Sequence, residues 1–162
     1  MKFLLFLPFL VAILVFNSCG SSGKTTTTHA KAKSGTATYQ HLFYTGAHKF
    51  LDENTFKLDS VSTDETYAFT IQNPVLVGGE NNSGVKNEQR FLNALLGPNG
   101  EGITYNRLGS CCMFDSPNGF LGGGLLDKYE VKIEGHEKPL IIYINMYDKG
   151  ILRAPKGFTF RD

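Results

Sequence analysis

The chain has 162 residues, with 16 lysines and arginines against 15 aspartates and glutamates, and a formal net charge of +1 at pH 7. This balance, without any basic block, excludes the electrostatic footprint of a nucleic-acid-binding protein and of a surface that binds anionic lipids. The length allows one domain with a substantial core after a leader and a linker are set aside.

The beginning of the chain is patterned as a bacterial lipoprotein signal. Lys2 is followed by an uninterrupted apolar run at 3–16 and by a short polar break before Cys19. As a helix this run covers about 21 Å, less than the ~30 Å hydrocarbon core of a bilayer, so it suits a cleaved signal better than a membrane span. A cut before Cys19 places Phe16 three residues upstream of the cut, which disfavours the ordinary signal peptidase. An ordinary secretory signal and an uncleaved anchor are the alternatives.

Removal of residues 1–18 would leave Cys19 as the acylated first residue of the mature chain. Residues 19–36 are rich in Gly, Ser, Thr, Lys and Ala, a composition that cannot bury enough surface to order itself and predicts a flexible tether. Residues 37–162 are then predicted to form a single globular domain. Because no acidic residues directly follow Cys19, we expect a lipid-anchored, periplasm-facing protein of the bacterial cell envelope.

The first half of the domain contains three strand-like segments. Residues 55–58 and 66–71 are rich in the aromatic and β-branched residues typical of strands. Pro74 precedes a short apolar run at 75–77. Because proline lacks an N–H donor for the ladder, this run suits an edge strand.

One helix is predicted, at 87–96. A single face of it combines three apolar residues with one acid: Glu88, Phe91, Leu92 and Leu95. Gly97, followed by Pro98, forms a helix stop signal.

After the helix the apolar residues recur with period two. A strand is predicted at 102–109, and a hairpin joins strands at 129–133 and 140–147 through a turn at 135–139. The first hairpin strand has one polar face and should lie nearer the sheet edge, whereas the second is apolar on both faces and should lie in mid-sheet. Residues 158–160 add a last short strand. The predicted fold class is α+β, an antiparallel β-sheet with one main helix packed on it.

Cys111 and Cys112 are adjacent, and they are the thiols that remain once Cys19 is lipidated. A disulfide between neighbours distorts the intervening peptide, which makes it more reducible, and it adds little stability because the closed loop is minimal. Four interpretations stay open: a vicinal disulfide of local structural use, two reduced thiols, a redox or intermolecular role, and a metal site. The metal interpretation lacks histidines at a recognised spacing. We predict no metal and no cofactor.

Other polar motifs are weaker. His48 and His136 fall in predicted loops, where a surface position is expected and acid–base chemistry is the alternative. Asp127 and Asp148 lie at the start and end of the hairpin strands, as caps or solvated groups, or as a facing carboxylate pair for catalysis or Ca²⁺. The glycines at 122–124 predict a flexible turn and not a phosphate loop, because no Gly-Lys-Ser or Gly-Lys-Thr follows. No motif identifies catalytic residues.

Four strings carry a resemblance to a known group of proteins: Asn-Pro-Val-Leu-Val-Gly-Gly at 73–79, Arg-Phe-Leu-Asn-Ala-Leu at 90–95, Gly-Ser-Cys-Cys at 109–112 and Asn-Met-Tyr-Asp at 145–148. They resemble strings in small uncharacterised lipoproteins of Bacteroidota, over about residues 67–160. The resemblance implies no established activity, fold or site. Some similar chains carry the label 2-dehydro-3-deoxyphosphooctonate aldolase. An enzyme of that name resembles a cytoplasmic TIM barrel of about 250 residues with eight βα units, whereas this chain is shorter, offers one predicted helix and carries an export signal.

Three functional hypotheses follow. The first is a membrane-anchored binding or structural module that contacts an envelope protein or glycan, because a tethered domain without a catalytic motif suits binding. The second is a thiol-based redox or metal-handling protein that uses Cys111 and Cys112. The third is an enzyme whose site is assembled only by the fold.

Overall fold

The computed structural model describes residues 46–79 and 83–162. The predicted signal peptide, Cys19, the tether and residues 37–45 of the predicted domain lie outside the described residues. The described part contains one helix and eight strands: β1 (Phe50–Asp52), β2 (Thr55–Phe56), β3 (Val75–Leu76), α1 (Gly84–Asn93), β4 (Leu95–Leu96), β5 (Ile103–Phe120), β6 (Gly123–Ile133), β7 (Leu140–Asn145) and β8 (Thr159–Phe160). This confirms a mixed α+β chain that is mostly sheet with one helix.

The main sheet has the strand order β3, β7, β6, β5. Strands β6 and β7 confirm the predicted hairpin, with β7 in mid-sheet and β3 at the edge. Two details of the prediction are wrong. Strand β3 pairs with β7 in parallel, so the sheet is mixed and not purely antiparallel. Strand β6 is interior, because the long β5 pairs along its other side.

Strand β5 is much longer than the predicted strand. The expected end, Gly109, has a φ of 127° and lies where the pairing register with β6 shifts, and the strand continues through Cys112, with a φ of 57°. Each shift places an extra residue on β5 and bends the strand. Residues 117–119 lie in a wider bulge that interrupts pairing just before the hairpin ends.

The glycines at 122–124 divide between turn and strand. The first has a φ of 82°, and Leu121 before it has a φ of 53°, the sign pattern of a two-residue type I′ hairpin turn. Gly124 lies in β6, where an added Cβ atom would stand 2.9 Å from the ring of Phe114 and 2.7 Å from the ring of Tyr147. The predicted turn is therefore confirmed at Gly122 only. Gly124 belongs to the strand, and its missing side chain makes room for two aromatic rings.

Helix α1 starts and ends three residues before its predicted bounds. The predicted last turn belongs to strand β4, which pairs with β8, and the N–H of Arg161 donates to the carbonyl of Ala94 at 2.9 Å. Strand pairing therefore replaces helix continuation. The predicted buried face is confirmed: Glu88, Phe91 and Leu92 are fully buried.

The strand predicted at 66–71 is wrong, because this segment is a series of turns. The Asp64 carboxylate organises it: Oδ1 accepts from the N–H of Thr66 and Oδ2 accepts from Asn73 Nδ2, both at 2.8 Å. Such local bonds compete with a strand ladder. The other early prediction, at 55–58, is confirmed in its first half as strand β2.

The core lies between α1, the β1–β2 hairpin and one face of the main sheet. Its residues include Phe56 from β2, Phe91 and Leu92 from α1, and Val131 and Ile142 from the sheet, each with no exposed surface. One face of β6 therefore carries the core, as its alternating sequence predicts.

Candidate functional site

Cys111 and Cys112 are joined by a disulfide on strand β5. Their Cα atoms are 3.8 Å apart, the spacing of consecutive residues across a trans peptide. Both residues are half-buried, and Cys111 aligns with Leu126 of β6 while Cys112 is the extra residue at a register shift. The two sulfur atoms are therefore bonded in the structure, as a vicinal disulfide of local structural use requires and as a redox role allows.

A bidentate ion pair connects β5 and β6 beside the disulfide. Arg107 Nε donates to Asp127 Oδ2 and Nη2 donates to Oδ1, both at 2.7 Å. Ser110 Oγ donates to the same Oδ1 at 2.7 Å and accepts from Arg107 Nη2 at 2.7 Å. Burial pushes the pKa of Asp127 upward, but the hydrogen bonds from Arg107 and Ser110 outweigh it and hold this pKa below its usual value.

Glu88 of α1 is a second buried carboxyl group next to this ion pair. Its Oε2 accepts from Tyr129 Oη at 2.8 Å, whereas its Oε1 has no hydrogen-bond donor. Burial, together with the charge of Asp127, raises the pKa of Glu88 to about 8. A proton on Glu88 removes the repulsion between its carboxyl group and the charged Asp127, so the protonated form is favoured. Burial and the neighbouring Glu88 also raise the pKa of Tyr129.

The charges of the buried Glu88 and Asp127 carboxyl groups repel each other, the arrangement that drives one of two pKa values upward and leaves a proton on Glu88. Chemistry on a substrate would require contact with this proton, and neither side chain has any exposed surface. No three or more His, Cys, Asp or Glu residues in the described ranges are placed to hold a metal ion. The two carboxyl groups are shielded from solvent. Of the residues bonded to them, Arg107 reaches the solvent, with a side chain that is 43% exposed.

Asp148 is the centre of a separate polar cluster. Its Oδ1 accepts from Ser116 Oγ at 2.6 Å and from Asn118 Nδ2 at 2.9 Å, and its Oδ2 accepts from Asn145 Nδ2 at 2.9 Å. Asp127 and Asp148 were expected to be strand-end caps or solvated groups, and the solvated alternative is wrong, because both are buried. They are also not a facing pair, since each carboxylate has its own set of partners.

The end of the β5–β6 hairpin exposes large apolar side chains. We call Met113, Phe120, Leu121 and Leu125 the hairpin tip; the first three are 86%, 85% and 91% exposed. Met113 and Leu125 are aligned across the two strands, so their side chains stand on the same face. Isolated exposed apolar residues are ordinary, whereas several of them at one end of a hairpin form the kind of surface that binding partners commonly cover.

The two histidines lie apart from these clusters. His48 is half-buried and not a surface residue: its Nε2 is 3.1 Å from the carbonyl oxygen of Gly150, and its ring meets that of Phe56 edge to face at 5.0 Å between centroids. Burial lowers the pKa of His48, partly offset by the bond to Gly150. His136 lies on the surface, as predicted, 3.8 Å from Glu101.

Sequence reasoning missed the residues that complete each cluster. Arg107 and Ser110 carried no motif, and Glu88 was seen only as an acid on an apolar helix face. That placement was itself a signal, because a carboxyl group on a buried face requires a partner. The hairpin tip also left a signal: Phe120 and Leu121 are large apolar residues in a segment otherwise typical of a turn.

Comparison with protein families, with curated proteins and with solved structures finds nothing that matches this chain. Within residues 46–79 and 83–162, no helix combines the length and the apolar character that a transmembrane span requires. The geometry of the described residues therefore carries the functional argument.

Proposed function

We propose that this protein is a lipid-anchored module of the bacterial cell envelope that works by binding, with the hairpin tip as its binding surface. The observation that carries the proposal is the contrast in burial: Phe91 in the core has no exposed surface, whereas Phe120 and Leu121 at the tip are almost fully exposed. Apolar area left in water is available to stabilise a complex when a partner covers it.

Binding is favoured over catalysis by the placement of the titratable groups. The carboxyl groups of Glu88 and Asp127 are fully buried, so a substrate has no contact with them in this conformation. The hairpin tip, in contrast, offers its side chains directly to a partner. A catalytic residue has to touch the reacting atoms, and a binding residue has to touch its partner. The side chains of the tip meet the second condition, because they are exposed.

The anchor is proposed from the leader and from Cys19. Each methylene of an acyl chain that enters the bilayer contributes about 0.8 kcal/mol, so two or three chains attach the protein durably. Labelling cells with radioactive palmitate tests this step: the full chain should incorporate label, and Cys19→Ser should not. Label on the Cys19→Ser chain, or a native polypeptide that retains residues 1–18, contradicts the anchor.

The binding role is tested by complementation of a deletion strain. We expect the deletion to weaken the envelope against detergent, the wild-type gene to restore it, and Phe120→Ser not to restore it. Val85→Ser is the matched control, because Val85 is apolar and 50% exposed but lies on α1. An intact envelope in the deletion strain, or full restoration by Phe120→Ser, contradicts the proposal.

A thiol-based role is the second candidate, and the disulfide between Cys111 and Cys112 favours it. In this role an external dithiol attacks the Cys111–Cys112 bond and is oxidised to its own disulfide, while the two cysteines take up two electrons and two protons. The reduced thiols are also the ligands that a metal-handling role would use. Trapping cells with an alkylating reagent followed by mass spectrometry measures the reduced fraction. A pair that stays fully oxidised under every growth condition contradicts this candidate.

A further inference from the structure

We infer that the partner of the hairpin tip is the bilayer surface itself, so that Phe120 and Leu121 insert into the boundary between headgroups and acyl chains of the membrane that holds Cys19. The inference rests on the proposed function, because it takes the tip as the binding surface and Cys19 as the anchor. It adds a second, reversible membrane contact to the covalent one.

Leu121 gives the first argument. Its φ of 53° lies in the left-handed region, which costs free energy for any residue with a Cβ atom and is best occupied by Gly, Asn or Asp. The side chain is 91% exposed, so packing within the protein offsets little of that cost. A large apolar group in a disfavoured conformation and with so little internal packing points to a contact outside the chain.

The chemistry of the tip favours a lipid interface over a protein groove. Between Asp115 and Asp127 no residue carries a charge, so entry into the interface buries none. The backbone also makes hydrogen bonds within the tip: the N–H of Ser116 donates to the carbonyl of Gly122 at 3.0 Å, and the N–H of Gly122 donates to the carbonyl of Gly119 at 3.3 Å. Apolar side chains beside backbone groups that bond within the hairpin suit the acyl side of the boundary, which offers no hydrogen-bond partners.

The tip is held in a fixed direction by the Asp148 cluster. Ser116 and Asn118, in the bulge just before the tip, both donate to the buried carboxylate of Asp148 after β7. Because the base of the tip is bonded to the main sheet, insertion does not require a flexible loop to become ordered. A preordered element binds with a smaller entropic cost.

The tether that the sequence predicts would keep the tip near the bilayer. It places residues 20–36, which are 17 in number, between Cys19 and the predicted domain. A flexible chain of that length would have a root-mean-square span of about 23 Å, and a short tether gives an effective concentration in the millimolar range. Two large side chains are therefore enough for insertion, although they would not hold an untethered protein at a membrane.

The test uses tryptophan, because the chain has none. The full chain carrying Phe120→Trp is purified from envelopes with its lipid and reconstituted into phosphatidylethanolamine and phosphatidylglycerol vesicles that contain brominated acyl chains. His136→Trp is the matched control, since it places the same indole on an exposed turn at the opposite end of β6, roughly 36 Å away along the strand. We expect blue-shifted emission and strong bromine quenching for Phe120→Trp and neither for His136→Trp.

A second variant separates the side chain from the fold. Leu121→Asn, made in the Phe120→Trp chain, creates the Asn-Gly pair that suits a type I′ turn, so the hairpin is expected to form as well as before. Without the leucine side chain the equilibrium constant for insertion should fall by about tenfold or more, and quenching should fall with it.

Flotation of the vesicles on a density gradient reports the anchor separately from the tip. A protein that floats while Phe120→Trp is quenched no more than His136→Trp overturns the inference and leaves the proposed anchoring intact. A protein that does not float overturns both. Unchanged quenching in the Leu121→Asn chain, or a tip that stays in water in pure vesicles but crosslinks to one protein in native envelopes, also overturns the lipid interface as the partner.

Discussion

The two ends of the β5–β6 hairpin differ in what covers them. Near its base, Tyr129, Val131 and Ile133 of β6 are buried in the core together with Phe91 of α1. At the other end of the same regular strand, Leu125 lies on the same face but is 41% exposed. The alternation of side chains is the same at both ends of β6. The difference in burial therefore comes from what packs over each end and not from the strand itself.

Asp127 lies at the boundary between the two ends. It occupies the same face of β6 as Leu125 and Tyr129, between the exposed and the buried apolar residues. Its hydrogen bonds with Arg107 and Ser110 close the core on that side. The alternating sequence of β6 thus assigns each residue to a face of the sheet, while the position of the packed helix α1 decides which part of that face becomes core.

Truncation of Phe91 should destabilise the fold far more than truncation of Phe120. Phe91→Ala removes a ring with no exposed surface and should lower the free energy of unfolding by about 3–5 kcal/mol. Phe120→Ala removes a ring that is 85% exposed and should change it by less than about 0.5 kcal/mol. Urea denaturation monitored by circular dichroism measures both. A loss for Phe120→Ala approaching that for Phe91→Ala would mean that the tip is part of the core.

The buried carboxyl group of Glu88 should make the free energy of unfolding depend on pH. The pKa of Glu88 is about 8 in the folded chain against an ordinary value of 4.5, so the folded state binds the extra proton between these values. The stability that this proton contributes is present in full below pH 4.5 and is lost as the pH rises through 8. Glu88→Gln mimics the protonated group, and at pH 9 it should unfold with a free energy higher than that of the wild type by roughly 2–4 kcal/mol.

The two proteins should be about equally stable at pH 4.5, and comparison of their unfolding free energies across this range measures the effect. Glu137→Gln is the control, because Glu137 is an exposed residue of the β6–β7 turn. It should leave the pH dependence of the wild type unchanged. Asp127 acts in the opposite direction, since its pKa is lowered and its contribution is lost as the pH falls through that lowered value. Equal curves for Glu88→Gln and the wild type between pH 4.5 and 9 would contradict a proton held on buried Glu88.

The fold could be predicted from the sequence wherever the pattern was long. The alternation at 129–133 placed β6, and the acid on an apolar helix face placed Glu88. Short segments were decided by partners distant in the chain: Leu95–Leu96 pairs with β8, which no local pattern reveals. Register shifts extended β5 to Phe120, past the predicted end at Gly109, because a bulge admits residues that a regular ladder excludes.

The candidate site was less predictable, because its groups come together only across strands. Arg107 and Asp127 are 20 residues apart, and Glu88 lies on another element. The vicinal disulfide was one of four open interpretations, since the sequence carries no information on whether the two sulfur atoms are bonded. Burial of Asp148 also had no local signal, because its partners Ser116 and Asn118 come from a bulge.

The disulfide between Cys111 and Cys112 should contribute little to the free energy of unfolding. A bond between neighbours closes the shortest possible loop, so the chain-entropy estimate of its contribution is only about 1 kcal/mol. Reduction also frees Cys112 from its left-handed φ of 57°, which offsets part of that amount. The double variant Cys111→Ser, Cys112→Ser should therefore unfold within about 1 kcal/mol of the wild type, measured by urea denaturation at the same pH. A loss above about 3 kcal/mol would show that the disulfide holds β5 against β6, so that the tip and the core are stabilised together.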